Sequence, residues 1–413
     1  MKVDNFHCRF CGHELKYGFA DLGMSPLANE YLTENDLECG QTFYPLKVQV
    51  CSNCYLTQAA MYQKPEKIFG DYKYFSSYSS NWLAHCKAYV DMITTKLSLG
   101  KQSQVLEVAC NDGYLLQYFK PYNIPVKGIE PAENVAIIAR EKGIDVECSF
   151  FSDETARNLV EREGKYHLII GNNVLAHVPD INHFVEGLAI ALDENGTITM
   201  EFPHLLRLIE ECQFDTIYHE HFYYLSLLTV NQIFQAHGLR IYDVEKLPTH
   251  GGSLRIYATH KGNHILCTQE SVLELLKQER EFGLENIYTY MEFQTKIQKI
   301  KIDTLHLLSD LKNKGKTIAA FGAAAKGNTF LNYCGIKRDM IDFVIDSNPH
   351  KQGLYLPGSL IPIVSIDALR EKQPDYLLIL PWNLKSEILN VADFTKEWGC
   401  KFITCIPNVQ VLD

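Results

Sequence analysis

Two stretches of this chain read as the same unit. "SQVLEVACNDGYLLQYFK" begins at Ser103 and "KTIAAFGAAAKGNTFLNYC" at Lys316. Each is a short apolar run, a turn containing glycine, and then a helical pattern. Further short apolar runs follow both: "PVKGIEP", "HLIIGNNVLAHV" and "NGTITMEFP" after the first, "IDFVIDSNPHKQG", "DYLLILPWN" and "KFITCIP" after the second. Strands that alternate with helices imply parallel, doubly wound sheets. The chain is therefore expected to be α/β, with two Rossmann-like units. At 413 residues it is also too long for one core.

Two cysteine pairs stand apart from both units. "CRFCG" holds Cys8 and Cys11, and "CSNCY" holds Cys51 and Cys54. Paired C-x-x-C knuckles supply four thiolates for a tetrahedral zinc site. Four protein ligands leave no open coordination position, so this metal is expected to be structural. The other nine of the 13 cysteines mostly sit singly in apolar contexts, as small core residues do in a reducing compartment.

Charge and hydropathy exclude some partners. The formal net charge is −11, and no cluster of Lys and Arg offers a phosphate-binding surface, so no nucleic-acid partner is expected. No apolar run has the length of a membrane span, and the N-terminus has no apolar signal core. A cytoplasmic protein without a membrane partner, monomeric or weakly self-associating, is the expectation.

The organisation expected along the chain has four parts. Residues 1–70 form a zinc-binding domain and 71–260 the first Rossmann-like domain with its active-site loops. A helical linker covers 261–300, and the second Rossmann-like domain covers 301–413. The loop opening the second part is rich in serine and aromatic residues; its Tyr72, Tyr74 and Tyr78 are candidates for a lid.

The first unit's turn, "EVACNDGYLL", lacks the three glycines by which G-x-G-x-x-G admits a pyrophosphate. Ala109 and Asn111 stand where glycines would be expected, and only Gly113 remains. Such a turn suits a cofactor without phosphate. The ammonium of S-adenosylmethionine suits Glu107 and the turn carbonyls. Glu130 in "GIEP", followed by Pro131, ends the next strand where an acid accepts ribose hydroxyls. Asn172, Asn173 and His177 lie at the carboxyl end of a later strand, where open α/β sheets bind ligands. Tyr78 completes the expected donor set.

"DTIYHEHFYY", residues 215–224, concentrates the remaining chemistry. Its order, His219-Glu220-His221, is not the His-Glu-x-x-His of a catalytic zinc helix. In a helix Tyr218 and His221 share a face; in a strand His219 and His221 do. The helical pairing joins an imidazole base to a phenol that can hydrogen-bond an oxyanion, with Glu220 as the group fixing the imidazole's tautomer. That equipment removes a proton beside a carbonyl. Next to a methyl donor, it makes a carbon nucleophile.

With these motifs, and with "DLGMSPLANEYL", "YKYFSSYS", "THGGSLR" and "FGAAAKGNTFLNYCGI", the chain resembles a known family over essentially its whole length. This is the zinc-containing nucleotide-sugar C-methyltransferases that make branched deoxysugars. The resemblance implies a zinc domain, an S-adenosylmethionine domain and a C-terminal Rossmann-like domain. It implies a dTDP- or GDP-linked 4-keto-6-deoxy sugar as substrate, methylated at C3. It places the base on His221, enolate-side tyrosines on Tyr218 and Tyr72, and supporting roles on Glu220 and His177. Cys110 departs from the family's usual small residue without altering the chemistry.

The sugar nucleotide is expected between the two units. "THGGSLR" offers His250, Ser253 and Arg255. "GAAAKGN" offers Gly322, Lys326, Gly327 and Asn328 at a helix start for a diphosphate, and Asn383 ends a strand facing the same crevice. The alternatives are an NAD(P)-dependent sugar-nucleotide oxidoreductase or epimerase and an O-methyltransferase on the same sugar class. A zinc-ribbon nucleic-acid adaptor is opposed by the acidic charge.

Overall fold

A computed structural model describes residues 6–63 and 75–412. Tyr72 and Tyr74 lie outside the described residues. The chain begins with strands β1 (Tyr17–Ser25), β2 (Tyr44–Val50) and β3 (Thr57–Ala59). β2 alternates as its sequence promises, with Leu46, Val48 and Val50 turned into the core. Helix α1 (Ser80–Lys96) starts where Ser79 caps it, its side chain accepting the Trp82 N–H.

The first α/β unit runs β4 (Val105–Val108), β5 (Val126–Ile129), α2 (Glu133–Glu141), β6 (Asp145–Glu147), α3 (Asp153–Glu163), β7 (Tyr166–Asn172), α4 (Ile181–Ala191) and β8 (Leu192–Pro203). Then come α5 (Leu205–Glu210), β9 (Tyr223–Tyr224), α6 (Leu227–Ala236), β10 (Leu239–Leu247) and β11 (Ser253–His260). "GYLLQYFK", read as a helix, is instead a turn followed by a 3-10 segment with Pro121 inside it.

Helices α7 (Glu270–Phe282), α8 (Ile287–Met291) and α9 (Phe293–Asn313) lead to the second unit. Helix α9 runs without a break across residue 300, where the sequence suggested a boundary. The second unit is β12 (Ile318–Phe321), α10 (Ala325–Cys334), β13 (Val344–Ile345), β14 (Ile363–Val364), α11 (Asp367–Lys372), β15 (Tyr376–Ile379), α12 (Lys385–Val391), β16 (Lys401–Thr404) and β17 (Gln410–Leu412).

Among the described residues the strands form three sheets, and their order decides where ligands go. The seven-stranded sheet runs β10-β11-β8-β7-β4-β5-β6, with β11 antiparallel to both neighbours. Its direction of winding reverses between β4 and β7. The six-stranded sheet runs β14-β13-β12-β15-β16-β17 and reverses between β12 and β15. Each reversal opens a crevice at the carboxyl ends of its strands. The small sheet, β1-β2-β3-β9, borrows its last strand from the first α/β unit. No helix of the described residues is long and apolar enough to cross a membrane.

Candidate active site

Four sulfur atoms meet at the N-terminal end. The Gly12 N–H closes one turn on the Cys8 carbonyl at 2.9 Å, and the Tyr55 N–H closes the other on Cys51 at 2.9 Å. Sγ separations are 3.6 Å for Cys8–Cys54 and for Cys11–Cys51, and all four sulfurs lie within 4.8 Å of one another. Zinc holds thiolates at about 2.3 Å, which sets them roughly 3.8 Å apart in a tetrahedron. The donor set fits a structural zinc with its coordination complete.

At the β4–β7 crevice the groups are acidic. Glu107 is fully buried, and neither of its oxygens accepts a hydrogen bond of ordinary geometry, although the Tyr114 phenol is beside it. Burial holds this carboxyl well above its usual range. The turn after β4 winds through left-handed backbone at Ala109, Asn111 and Gly113. Gly113 serves packing rather than ligand approach, since a Cβ there would lie 2.4 Å from Ile144. Glu130 braces the turn, accepting the Asn111 N–H and the Ala132 N–H at 2.9 Å each. Burial pushes its carboxyl up to about 7. A buried amide of Asn172 has no partner, and Asn173 sits in left-handed backbone with its Nδ2 3.4 Å from His250 Nε2.

Ser76 and Ser77 lie over this turn, their N–H groups donating to Asn111 Oδ1 at 3.0 Å and Asp112 Oδ2 at 3.3 Å. Tyr78 is not drawn in with them. It is 64 % exposed and stacks on His350 of the second unit. Pro131 is half-buried at the end of β5. The orphaned carboxylate of Glu107, the unpaired amide and the braced acid fit the cationic amino-acid end and the ribose of S-adenosylmethionine.

The segment "DTIYHEHFYY" is neither helix nor strand over its central residues. The His221 N–H bonds the Tyr218 carbonyl at 2.9 Å, which makes 218–221 a β-turn. The turn still pairs Tyr218 with His221, ring centroids 3.9 Å apart. His177 stands perpendicular to His221 at 4.7 Å. The group that orients the imidazole is not Glu220 but a backbone carbonyl: His221 Nδ1 lies 2.8 Å from Thr216 O. A carbonyl only accepts, so Nδ1 carries the proton and Nε2 keeps the lone pair. Burial holds His221 well below the ordinary imidazole range, and the neighbouring His177, Lys326 and His250 act in the same direction.

Glu220 points elsewhere. Its Oε1 accepts from Asn29 Nδ2 at 2.7 Å, and burial pushes it up to about 7. Asn29 belongs to a strap from the N-terminal region that sequence reasoning passed over, although "SPLANEYL" places this amide among apolar neighbours. The same strap reaches the second unit, where Asn328 Nδ2 donates to Ala28 O at 2.6 Å and Tyr31 Oη to Ala323 O at 2.6 Å. His219 is buried against Pro45 O and the Tyr44 ring, turned toward the zinc domain.

The β12–β15 crevice faces this turn with a cation. Lys326 Nζ sits 5.0 Å from the Trp382 ring centroid and 3.3 Å from Asn383 Oδ1. Trp382 Nε1 donates to buried Asp215 Oδ2 at 2.8 Å. Burial raises Asp215 to about 6 and lowers Lys326. Several expected substrate contacts are turned inward. Ser253 Oγ donates to Thr249 O at 3.0 Å. Arg255, 4 % exposed, is held by Glu201 at 3.1 Å and Glu245 at 3.0 Å. Asn328 is buried on the strap. Gly322 and Gly327 admit close loop packing: Cβ atoms there would lie 2.4 Å from Pro381 and 2.9 Å from Leu380. His250, in left-handed backbone, remains at the crevice between the units.

Comparison with known proteins agrees with this geometry. Residues 8–69 match the family described as "Putative zinc binding domain", 83–244 a "Methyltransferase domain" and 248–407 a "C-methyltransferase C-terminal domain". C-methyltransferase NovU of Streptomyces niveus is 34 % identical over 406 residues, 98 % of this chain and 96 % of the relative. Among solved structures, magnesium protoporphyrin IX methyltransferase of Synechocystis with bound SAM covers 48 % of this chain and 89 % of its own at 17 % identity and TM-score 0.33. A Clostridium acetobutylicum S-adenosylmethionine-dependent methyltransferase covers 44 % and 92 % at 12 % identity and TM-score 0.35. Both overlaps are too loose to argue from. The match to NovU spans nearly the whole of both chains, and on that ground this chain belongs to the S-adenosylmethionine-dependent C-methyltransferases.

Proposed function

We propose that this C-methyltransferase acts at C3 of a nucleotide-linked 4-keto-6-deoxy sugar, through an enolate, with His221 as the base. The observation that carries the reading is the state of that imidazole. Its Nδ1–H is tied to Thr216 O, its Nε2 keeps a lone pair, and a phenol lies against it. A neutral imidazole takes a proton from carbon only where a neighbouring carbonyl accepts the electron pair.

When bound, S-adenosylmethionine supplies an electrophilic methyl carbon. His221 Nε2 takes the C3 proton, and the C–H electrons move into the C4 carbonyl. The Tyr218 hydroxyl donates to the resulting oxyanion. C3 would then bond the donor's methyl carbon as the sulfur–methyl bond breaks and sulfur keeps that electron pair, leaving a neutral thioether; the C4 carbonyl is restored, and His221 returns its proton to solvent. Tyr72 is assigned to the same oxyanion by the family resemblance. His177 holds the face of His221 away from water, and Glu220 with Asn29 braces the turn.

Lys326 and the start of α10 suit the diphosphate, with His250 and Asn383 on either side. A bound dianion there would offset the charge that depresses His221 and so strengthen the base once substrate arrives. The expected location is the cytoplasm, where nucleotide sugars are made.

Deuterium wash-in tests the reading. With S-adenosylhomocysteine bound, wild type should exchange the C3 proton of the correct 4-ketosugar, and His221→Asn should not, a loss of about 10³-fold. Donor affinity should survive in the variant. No exchange in a wild type that turns over the same sugar would end the enolate reading.

A further inference from the structure

The zinc sheet is not self-contained. Its fourth strand is β9, whose first residue lies two positions after His221. Gln58 pairs with Tyr223 and Thr57 with Tyr224, and the Ala59 N–H donates to Phe222 O at 2.9 Å. Those bonds hold the residues immediately after His221, ahead of helix α6 at Leu227.

One side chain secures the junction, and it lies between two zinc ligands. Arg9 Nε donates to Tyr223 Oη at 3.1 Å; its Nη2 donates to Phe222 O at 2.9 Å and Ala59 O at 2.8 Å. The guanidinium also lies 4.8 Å from the Tyr223 ring centroid. The same knuckle grips the segment after His177. Asn182 Nδ2 donates to Arg9 O and Phe10 O at 3.0 Å each, and Tyr223 Oη lies 3.2 Å from Pro179 O. Phe222 and Tyr223 in turn donate to Ala176 O.

We propose that Arg9 is a positioning residue for His221: the zinc knuckle is a jig whose guanidinium fork sets the imidazole against His177 and the reacting carbon. The inference rests on His221 being the base. Only a planar fork reaches two carbonyls and a phenol oxygen from one point, so lysine does not replace it. A small displacement of a base from its reacting atom costs orders of magnitude in rate.

The test uses the full chain, purified with zinc. Arg9→Met and Arg9→Lys are compared with wild type for zinc content, kcat, KM of both substrates and C3 exchange, with His221→Asn beside them. Expected for both Arg9 variants is one zinc per chain, KM values within about threefold, and kcat and exchange reduced together by roughly 10- to 100-fold. Tyr223→Phe, which removes one acceptor and keeps the ring, should show a smaller loss of the same kind. Should the Arg9 variants not fold, Tyr223→Phe decides alone.

Zinc-loaded Arg9→Met with kcat within twofold of wild type overturns the proposal. So does a loss of activity that only tracks loss of zinc. His221→Asn that still exchanges the C3 proton overturns the base assignment itself, whatever the Arg9 variants do.

Discussion

The two α/β units have the same architecture and opposite chemistry at their crevices. The β4–β7 crevice gathers Glu107, Asp112 and Glu130, all buried, and leaves the Glu107 oxygens unpaired. The β12–β15 crevice has closed its turn on itself. Asp346 accepts the Ala323 N–H at 2.8 Å, Lys351 and Tyr31 both donate to Ala323 O, and Pro381 fills the space over Gly322. What it presents instead is Lys326 over Trp382. An acidic pocket with orphaned acceptors suits a cationic donor; a lysine at a filled turn suits an anionic acceptor held at the rim. On the proposed reading, two α/β units in one chain serve two ligands of opposite charge.

Three measurements would break or sharpen that contrast. The largest effect on ligand affinity is expected at Glu107. Glu107→Gln keeps the shape and removes the charge, so donor affinity should weaken about 10- to 100-fold, the worth of a charged hydrogen bond. Calorimetry with S-adenosylmethionine reads it, and the acceptor KM should stay put. Because burial holds the Glu107 carboxyl well above its usual range, wild type loses stability as pH rises and the variant does not, so without donor Glu107→Gln should melt higher relative to wild type at pH 8 than at pH 5.

Lys326→Met is the mirror experiment. It keeps the apolar stem over Trp382, and should raise the acceptor KM about tenfold while leaving donor affinity unchanged. If either variant disturbs both ligands equally, the crevices do not divide the work.

The third measurement reads stability rather than ligand affinity and concerns Glu220, between the two. Its carboxyl is raised from 4.5 to about 7, so the native state holds an extra proton across that window. Stability from this group is present below pH 4.5 and lost as pH rises through 7, on the order of 3 kcal/mol in all. Glu220→Gln should flatten that slope in denaturant titrations at pH 5 and 8. An unchanged slope would show that Glu220 is not buried as described.

Local features of this site were legible in the chain. The knuckles follow from cysteine spacing, because a C-x-x-C turn is closed by its own backbone. The strands of both units follow from apolar period and length, and Glu107 and Glu130 follow from where those strands end. The pairing of Tyr218 with His221 was right, but for the wrong backbone. A β-turn and a helix both bring i and i+3 together, so residue spacing alone does not separate them. Arg255 was misread because a charged residue after a glycine turn gives no sign that Glu201 and Glu245 will lie across the strand from it.

Sequence by itself determined most strands and helices, the two cysteine knuckles and the inventory of acids and bases, because those depend on neighbours within a few residues. Tertiary structure alone decided which of them act together: Thr216 O on the imidazole, Asn29 on Glu220, Arg9 on the strand beside His221, Lys326 facing the turn. Apart from Thr216, these partners come from segments far apart in the chain. Their approach is set by how sheets and straps bury their apolar faces, and no local pattern of residues encodes that.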